Sequence, residues 1–229
     1  RHAALLAGLP VHVAGNTIQR NCGSGMNAML DAARAITCGE GSLFIAGGAE
    51  SMTRAPFVVG KAESAFAKNF PVFESSLGAR FPNPRIEGEF GADTMPETAD
   101  NLARDFQLSR EDCDAFACGS QAKYAAAKQD GFYDDELTPV VVPGGRKKPD
   151  VTVAEDEHPR PGTDVETLAG MRALFNGGVT TAGNASGIND GAAALIVGSL
   201  AAGEKADAKP RARILASGVA GVEPRIMGF

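Results

Sequence analysis

Apolar and polar positions along the chain switch between helical and extended periods in an order that outlines a mixed fold. Ala3–Ala7 followed by Gly8-Leu9-Pro10 reads as the last turns of a helix, closed by glycine and then proline. Val11–Arg20 has the β-branched content of a strand. Met26, Met29, Leu30, Ala33 and Ile36 recur at helical spacing, and Cys38-Gly39-Glu40-Gly41 ends that helix. Leu43–Ala46 is a short apolar strand running into Gly47-Gly48. Strand, helix and strand in close succession predict a βαβ unit, hence a parallel sheet covered on both faces.

From Arg54 to Arg172 the pattern changes to Phe, Pro and charged residues, as in Phe70-Pro71-Val72-Phe73. Thr94 with Pro96 and Glu97 predicts a capped helix start, and Ser109 with Asp112 predicts a second helix reaching about Lys128. Leu137–Val142 reads as a strand and Pro143-Gly144-Gly145 as a turn. The stretch has the character of a large insertion. Beyond Val179, Ala192–Val197 predicts a strand buried on both faces, Ala201–Pro210 a connection, and Arg211–Val222 a further strand. Opening at the end of a helix and stopping at Met227-Gly228-Phe229, the sequence is expected to be an interior piece of a longer protein.

Composition narrows the function classes. The 229 residues carry 22 basic and 28 acidic side chains, a net charge of −6, which disfavours nucleic acid as a partner. The best apolar run, Gly191–Gly203, is well short of the roughly 20 residues needed to cross a bilayer, so no membrane span is expected. The four cysteines show no C-x-x-C spacing and point to a reducing, cytoplasmic setting. Cys113 and Cys118 lie five apart on a helix, about 140° around it at 3.6 residues per turn, and cannot share a metal. With His2, His12 and His158 scattered, no metal site is expected.

The sharpest local chemistry is Asn21-Cys22-Gly23-Ser24-Gly25-Met26, a thiol between a predicted strand and the first turn of a helix. Free backbone N–H groups and the positive end of the helix favour a thiolate there, and the glycines let a carbonyl approach the backbone. An inert cysteine packed in a tight turn is the alternative. Gly47-Gly48 lacks the Lys-Ser/Thr of a phosphate loop and fits close packing beside that helix instead. Arg146-Lys147-Lys148 reads as a solvated turn.

The succession of motifs carries a resemblance. Asn21–Gly25 is followed by Ala46-Gly47-Gly48-Ala49-Glu50-Ser51-Met52-Thr53-Arg54-Ala55-Pro56. Much later comes Thr181-Ala182-Gly183-Asn184-Ala185-Ser186-Gly187-Ile188-Asn189-Asp190-Gly191-Ala192-Ala193-Ala194. In wording, order and spacing this resembles the thiolase family, from Leu5 to Met227-Gly228. Ketoacyl synthases also use such a cysteine, but the second and third motifs are thiolase wording.

The resemblance implies an α/β thiolase-like duplicated fold with an inserted loop domain, truncated here at both ends. Residues 1–53 would be part of the N-terminal half and 54–178 the CoA-binding loop domain. Residues 179–200 would return to the first half, and 201–229 would begin the second. It implies an acyltransferase in which Cys22 attacks a 3-oxoacyl-CoA and coenzyme A, a co-substrate and not a bound cofactor, takes the acyl group. Ser186 matches the serine that bonds the pantetheine chain and Arg160 an arginine at the nucleotide end. Thr167, Phe175 and Ala182 match further contacts, and Met95 a methionine near the acyl pocket. Turn capping for Ser186, a solvated charge for Arg160 and simple core for Met95 are the alternatives. Acyl-CoA and CoA are the implied partners, with a homodimer or homotetramer as the implied assembly, Phe57–Phe73 being where tetramer contacts arise in the family.

Family members also carry Asn-Glu-Ala-Phe, a Gly-His-Pro segment whose histidine serves as base, and a second cysteine in a glycine-rich loop. None is present in these residues, and Cys38, Cys113 and Cys118 read as structural. Thr94 stands where biosynthetic acetoacetyl-CoA thiolases often have histidine. Arg80–Pro84 and Asp93–Asn101 are closer to catabolic members, particularly 3-oxoadipyl-CoA thiolases. A biosynthetic thiolase and a non-catalytic CoA-binding fragment are the competing readings. The isolated 229 residues, lacking the base and the second thiol, are expected to give no thiolysis in a spectrophotometric assay; turnover by them would overturn this reading.

Overall fold

The computed structural model describes residues 1–229. Its helices are α1 (His2–Leu6), α2 (Ser24–Thr37), α3 (Pro84–Phe90), α4 (Met95–Asp105), α5 (Arg110–Gln129), α6 (Val165–Ala169) and α7 (Leu200–Lys205). Its strands are β1 (Leu43–Glu50), β2 (Phe57–Val59), β3 (Val72–Glu74), β4 (Val140–Val142), β5 (Val151–Val153) and β6 (Gly191–Gly198). Contacts divide the chain into two compact units. One comprises Arg1–Arg54 with Asp190–Ala220, the other Ala55–Asn189 with Gly221–Phe229. No helix is long and apolar enough to cross a membrane.

In the first unit, β1 and β6 pair antiparallel in unbroken register, from Leu43 opposite Gly198 to Glu50 opposite Gly191. Helix α2 packs on this ribbon, burying Leu30 and Ala32 while β1 buries Ala46. The helix stops as its sequence predicts: Gly39 takes φ 78°, and the N–H of Glu40 returns to the Ala35 carbonyl at 2.9 Å.

Several expectations for this unit are overturned. Val11–Arg20 forms no strand, because β-branched content supplies an extended backbone but not the neighbouring strand that a ladder requires. Without it there is no βαβ unit, and the sheet is antiparallel rather than parallel. Strand β6 forms where predicted but is not buried on both faces: Leu195 is 55% and Ile196 74% exposed, because a two-stranded ribbon has no further layer over them. Arg211–Val222 likewise joins no sheet. Its residues Ile214–Ser217 instead line a groove with Leu30 and Arg34 of α2 and with Cys38 just after it, and Arg34 reaches the Ser217 hydroxyl at 3.4 Å.

The second unit is built on α4, α5 and α6, with the hairpins β2–β3 and β4–β5. Both predicted capping boxes form. Hydrogen bonds from the Thr94 N–H and hydroxyl hold the Glu97 carboxyl below its ordinary range, and the Ser109 hydroxyl and N–H do the same for Asp112. The second helix runs to Gln129, and the expected strand Leu137–Val142 is realised in its last three residues. Gly221–Phe229 lies on α4 through the Arg225–Asp105 ion pair at 2.7 Å and a Phe106–Phe229 ring stack at 5.5 Å. The interior is strongly polar: beside Ala103 and Leu168 it buries Thr98, Asp100, Asp114, Thr180 and Thr181.

Gly47 is needed by the ribbon. A methyl group there would collide with the Ala193 carbonyl oxygen and stand 3.0 Å from the Ala194 Cα, whereas Gly48 faces open space. The close approach is therefore to β6, not to the helix after Cys22. Gly47→Ala should cost roughly 1–3 kcal/mol by forcing the strands apart, read as a lowered denaturant midpoint, while Gly48→Ala leaves the midpoint nearly unchanged. Equal losses at the two positions would contradict this packing.

Candidate functional site

Cys22 occupies a single 3₁₀ turn, Asn21–Gly23, that runs directly into α2. The turn is entered through Asn21 at φ 45°, a left-handed conformation that asparagine tolerates better than most residues. Ser24, just after the turn, ties back to its entry. Its hydroxyl accepts the Arg20 N–H at 2.8 Å and donates to the Asn21 carbonyl at 2.7 Å. Cys22 is exposed, and the Cβ position of Gly25, three residues on, opens to free space. An accessible sulfur thus precedes a fourteen-residue helix whose first N–H groups have no intrahelical acceptor.

The other thiols stand in different surroundings. Cys38 is exposed but caps the opposite, electronegative end of α2. Cys113 is partly covered, and burial, with Asp114 and Asp112 nearby, pushes its thiol up. Cys118 is partly covered as well.

The second and third motifs meet in this first unit. The Thr53 N–H and hydroxyl both donate to Asp190, at 2.9 and 2.5 Å. These bonds, the hydroxyl's first, hold the Asp190 carboxyl below its ordinary range. The turn after β1 is thereby fastened to the start of β6.

The remaining predicted residues belong to the second unit, all of them exposed. Met95 begins α4 and is 58% exposed. Thr167 lies in α6, where its N–H donates to Asp164 at 2.7 Å. Phe175 sits in a turn closed by Leu174 N–H to the Thr180 carbonyl at 2.8 Å and by pairing of Ala173 with Thr181. Ala182 and Ser186 flank Asn184 in the next turn. Arg160 folds its guanidinium back so that one terminal nitrogen faces the carbonyls of Glu157, His158 and Pro159 at 2.5, 3.0 and 3.1 Å. Its N–H donates to Gln121 of α5 at 3.0 Å.

Polar groups that sequence reasoning passed over bring these pieces together. Asp100 of α4 accepts the Val179 and Thr180 N–H groups and the Thr180 hydroxyl at 3.0, 2.9 and 2.7 Å. Asp114 of α5 accepts from Arg110 at 2.7 Å and from the Asn184 amide at 2.9 Å. Arg110 also donates to the Leu168 and Met171 carbonyls at the end of α6. Gly187, beside Ser186, lies so near the His158 imidazole that a methyl group there would collide with it. The turns carrying Arg160 and Ser186 are therefore neighbours. The spacing of Arg110 and Asp114 was the available signal, since residues four apart share a helix face; nothing in the spacing announces burial.

Residues 1–201 match the family described as "Thiolase, N-terminal domain". Over its whole length the chain is 54% identical to the 3-oxoadipyl-CoA/3-oxo-5,6-dehydrosuberyl-CoA thiolase of Escherichia coli (strain K12), spanning 57% of that relative. A crystal structure of the Bacillus anthracis acetyl-CoA acetyltransferase superposes with TM-score 0.85 at 35% identity, over 100% of this chain and 56% of the other. The human mitochondrial 3-ketoacyl-CoA thiolase in complex with CoA gives 0.84 at 34% identity, covering 99% and 55%. The α/β fold anticipated from the three motifs is thus the thiolase fold, seen here over little more than half the length of these relatives. The chain belongs to the thiolase family.

Proposed function

We propose that these residues are the nucleophile-bearing part of an acyltransferase that cleaves a 3-oxoacyl-CoA with coenzyme A. The observation that carries this reading is the exposed sulfur of Cys22 at the entrance to α2, in a chain of the thiolase family. The Cys22 thiolate adds to the C3 carbonyl, and backbone N–H groups at the helix entrance are suited to hold the oxyanion. As the carbonyl re-forms, the C2–C3 bond breaks; its electron pair stays on C2, which takes a proton to give acetyl-CoA. The acyl group remains on sulfur as a thioester, and the thiol of a second CoA displaces it, returning Cys22. The base that takes the thiol proton and the acid at C2 are assigned to residues outside this sequence.

In this reading the loop domain, residues 54–178, presents CoA contacts. Beside it Ser186 bonds the pantetheine chain; Arg160 meets the nucleotide end, Thr167, Phe175 and Ala182 make further contacts, and Met95 stands near the acyl pocket. Residues 1–53 and 179–200 form the N-terminal half, 201–229 open the second, and the whole works in the cytoplasm as a homodimer or homotetramer. A 3-oxo dicarboxyl thioester from aromatic breakdown is the favoured substrate. It is supported by the wording of Asp93–Asn101 and by the 54% identity to a relative named for 3-oxoadipyl-CoA.

The test uses the full-length protein carrying these residues. Iodoacetamide should label Cys22 before Cys38, which stands at the other end of the same helix, and acyl-CoA should protect it. Cys22→Ser should lower thiolysis by roughly three orders of magnitude or more. Activity on 3-oxoadipyl-CoA should exceed that on acetoacetyl-CoA. A strong acetoacetyl preference would reject the substrate, and an active Cys22→Ser variant would reject the mechanism.

A further inference from the structure

We propose that Asp114 is a positioning residue for the CoA surface, acting through Asn184 on the turn that carries Ala182 and Ser186. The inference rests on the proposed CoA-binding role of that turn and adds the group that sets its geometry. Asp114 is 1% exposed and lies on α5. Each of its carboxylate oxygens has a separate task. One accepts Arg110 Nε at 2.7 Å, while the same guanidinium holds the Leu168 and Met171 carbonyls that end α6, the helix of Thr167. The other accepts Asn184 Nδ2 at 2.9 Å.

Asn184 relays this anchor into the turn. Its amide nitrogen also donates to the Val179 carbonyl at 2.9 Å, and its amide oxygen accepts the Thr181 N–H at 2.7 Å. The Thr181 hydroxyl, on a fully buried residue, accepts the N–H groups of Gly183 and Asn184, both at 3.2 Å. The Val179 carbonyl and the N–H groups of Thr181, Gly183 and Asn184 are thus committed to one amide and one hydroxyl, and the amide is oriented by Asp114. Only an amide fits. A carboxylate at 184 would face Asp114 and the Val179 carbonyl with lone pairs, and an aliphatic group would leave the carboxylate half satisfied. Ser186 lies two residues beyond this clamp, itself exposed. Displacing the clamp should misplace the hydroxyl before it unfolds the unit.

The prediction is a split in kinetic constants of the full-length enzyme. Asn184→Asp should raise KM for CoA about tenfold, a coupling of the size expected within one polar network, with a much smaller change in kcat and in Cys22 labelling. Combining Asn184→Asp with Asp114→Asn removes the repulsion between two carboxylates but leaves residue 184 facing the Val179 carbonyl, so the rises in KM should be clearly less than additive without returning to wild type. A normal KM in Asn184→Asp, or strictly additive effects in the pair, would overturn the proposal. Should neither variant fold, hydrogen exchange of the wild-type protein decides. The Gly183 and Asn184 amides should be protected before CoA is added, and free exchange until CoA arrives would refute a preset turn. Failure of the underlying reading looks different: Ser186→Ala would then leave CoA affinity untouched whatever Asn184 does.

Discussion

A single buried carboxylate organises the second unit. Asp114 is 1% exposed, and donors meet it on both oxygens. Desolvating a carboxylate costs several kcal/mol, which only well-placed hydrogen bonds and an opposite charge offset. Arg110 supplies the charge and Asn184 the second donor. Because each of those partners has further obligations, the requirement to satisfy one carboxylate propagates to the end of α6 and to residues 179–184. Asp100 of α4 acts on the same segment differently: one carboxylate oxygen accepts all three bonds from Val179 and Thr180, while its other oxygen is buried without a partner. Polar groups thus tie α4, α5 and the end of α6 to residues 179–184.

The first unit solves a different problem, that of holding an exposed sulfur on a short turn at the entrance to a helix. Asn21 accepts a left-handed backbone, and the Ser24 hydroxyl, just after Cys22, reaches back to Arg20 and Asn21 just before it. The ribbon behind α2 depends on the absence of a side chain at Gly47 and on the Thr53–Asp190 pair, which secures its end. Two of the three glycine-rich motifs are therefore explained by their approach to each other. Glycine permits the strands to meet, and aspartate fastens the turn at their end.

Local signals in the sequence were legible because their physics is local. Thr94 and Ser109 cap helices with the residues three positions on, and Gly39 ends α2 through its own φ. The strand Val11–Arg20, the parallel sheet and the double burial of β6 were not legible, because pairing and covering are supplied by other segments. An apolar run such as Ala192–Val197 records what a strand is fit to touch, not what lies over it. At the site, Cys22 was conspicuous for its glycines, while Asp114 and Asn184 looked like ordinary polar residues. Their importance arises from burial, which has no signature in a four-residue spacing.

Charge at the proposed nucleotide end follows the same local logic. A chain of net charge −6 offers CoA no general attraction, so an anion must be met by individual groups. Arg160, the residue proposed for this role, is held in a particular way. One terminal nitrogen is spent on the carbonyls of Glu157, His158 and Pro159, which fixes the plane of the guanidinium against its own turn. The Nε and the second terminal nitrogen stay available as a fork, the arrangement that suits two oxygens of a phosphate. A lysine at this position would retain the charge but could not hold the carbonyls and a phosphate at once in fixed directions.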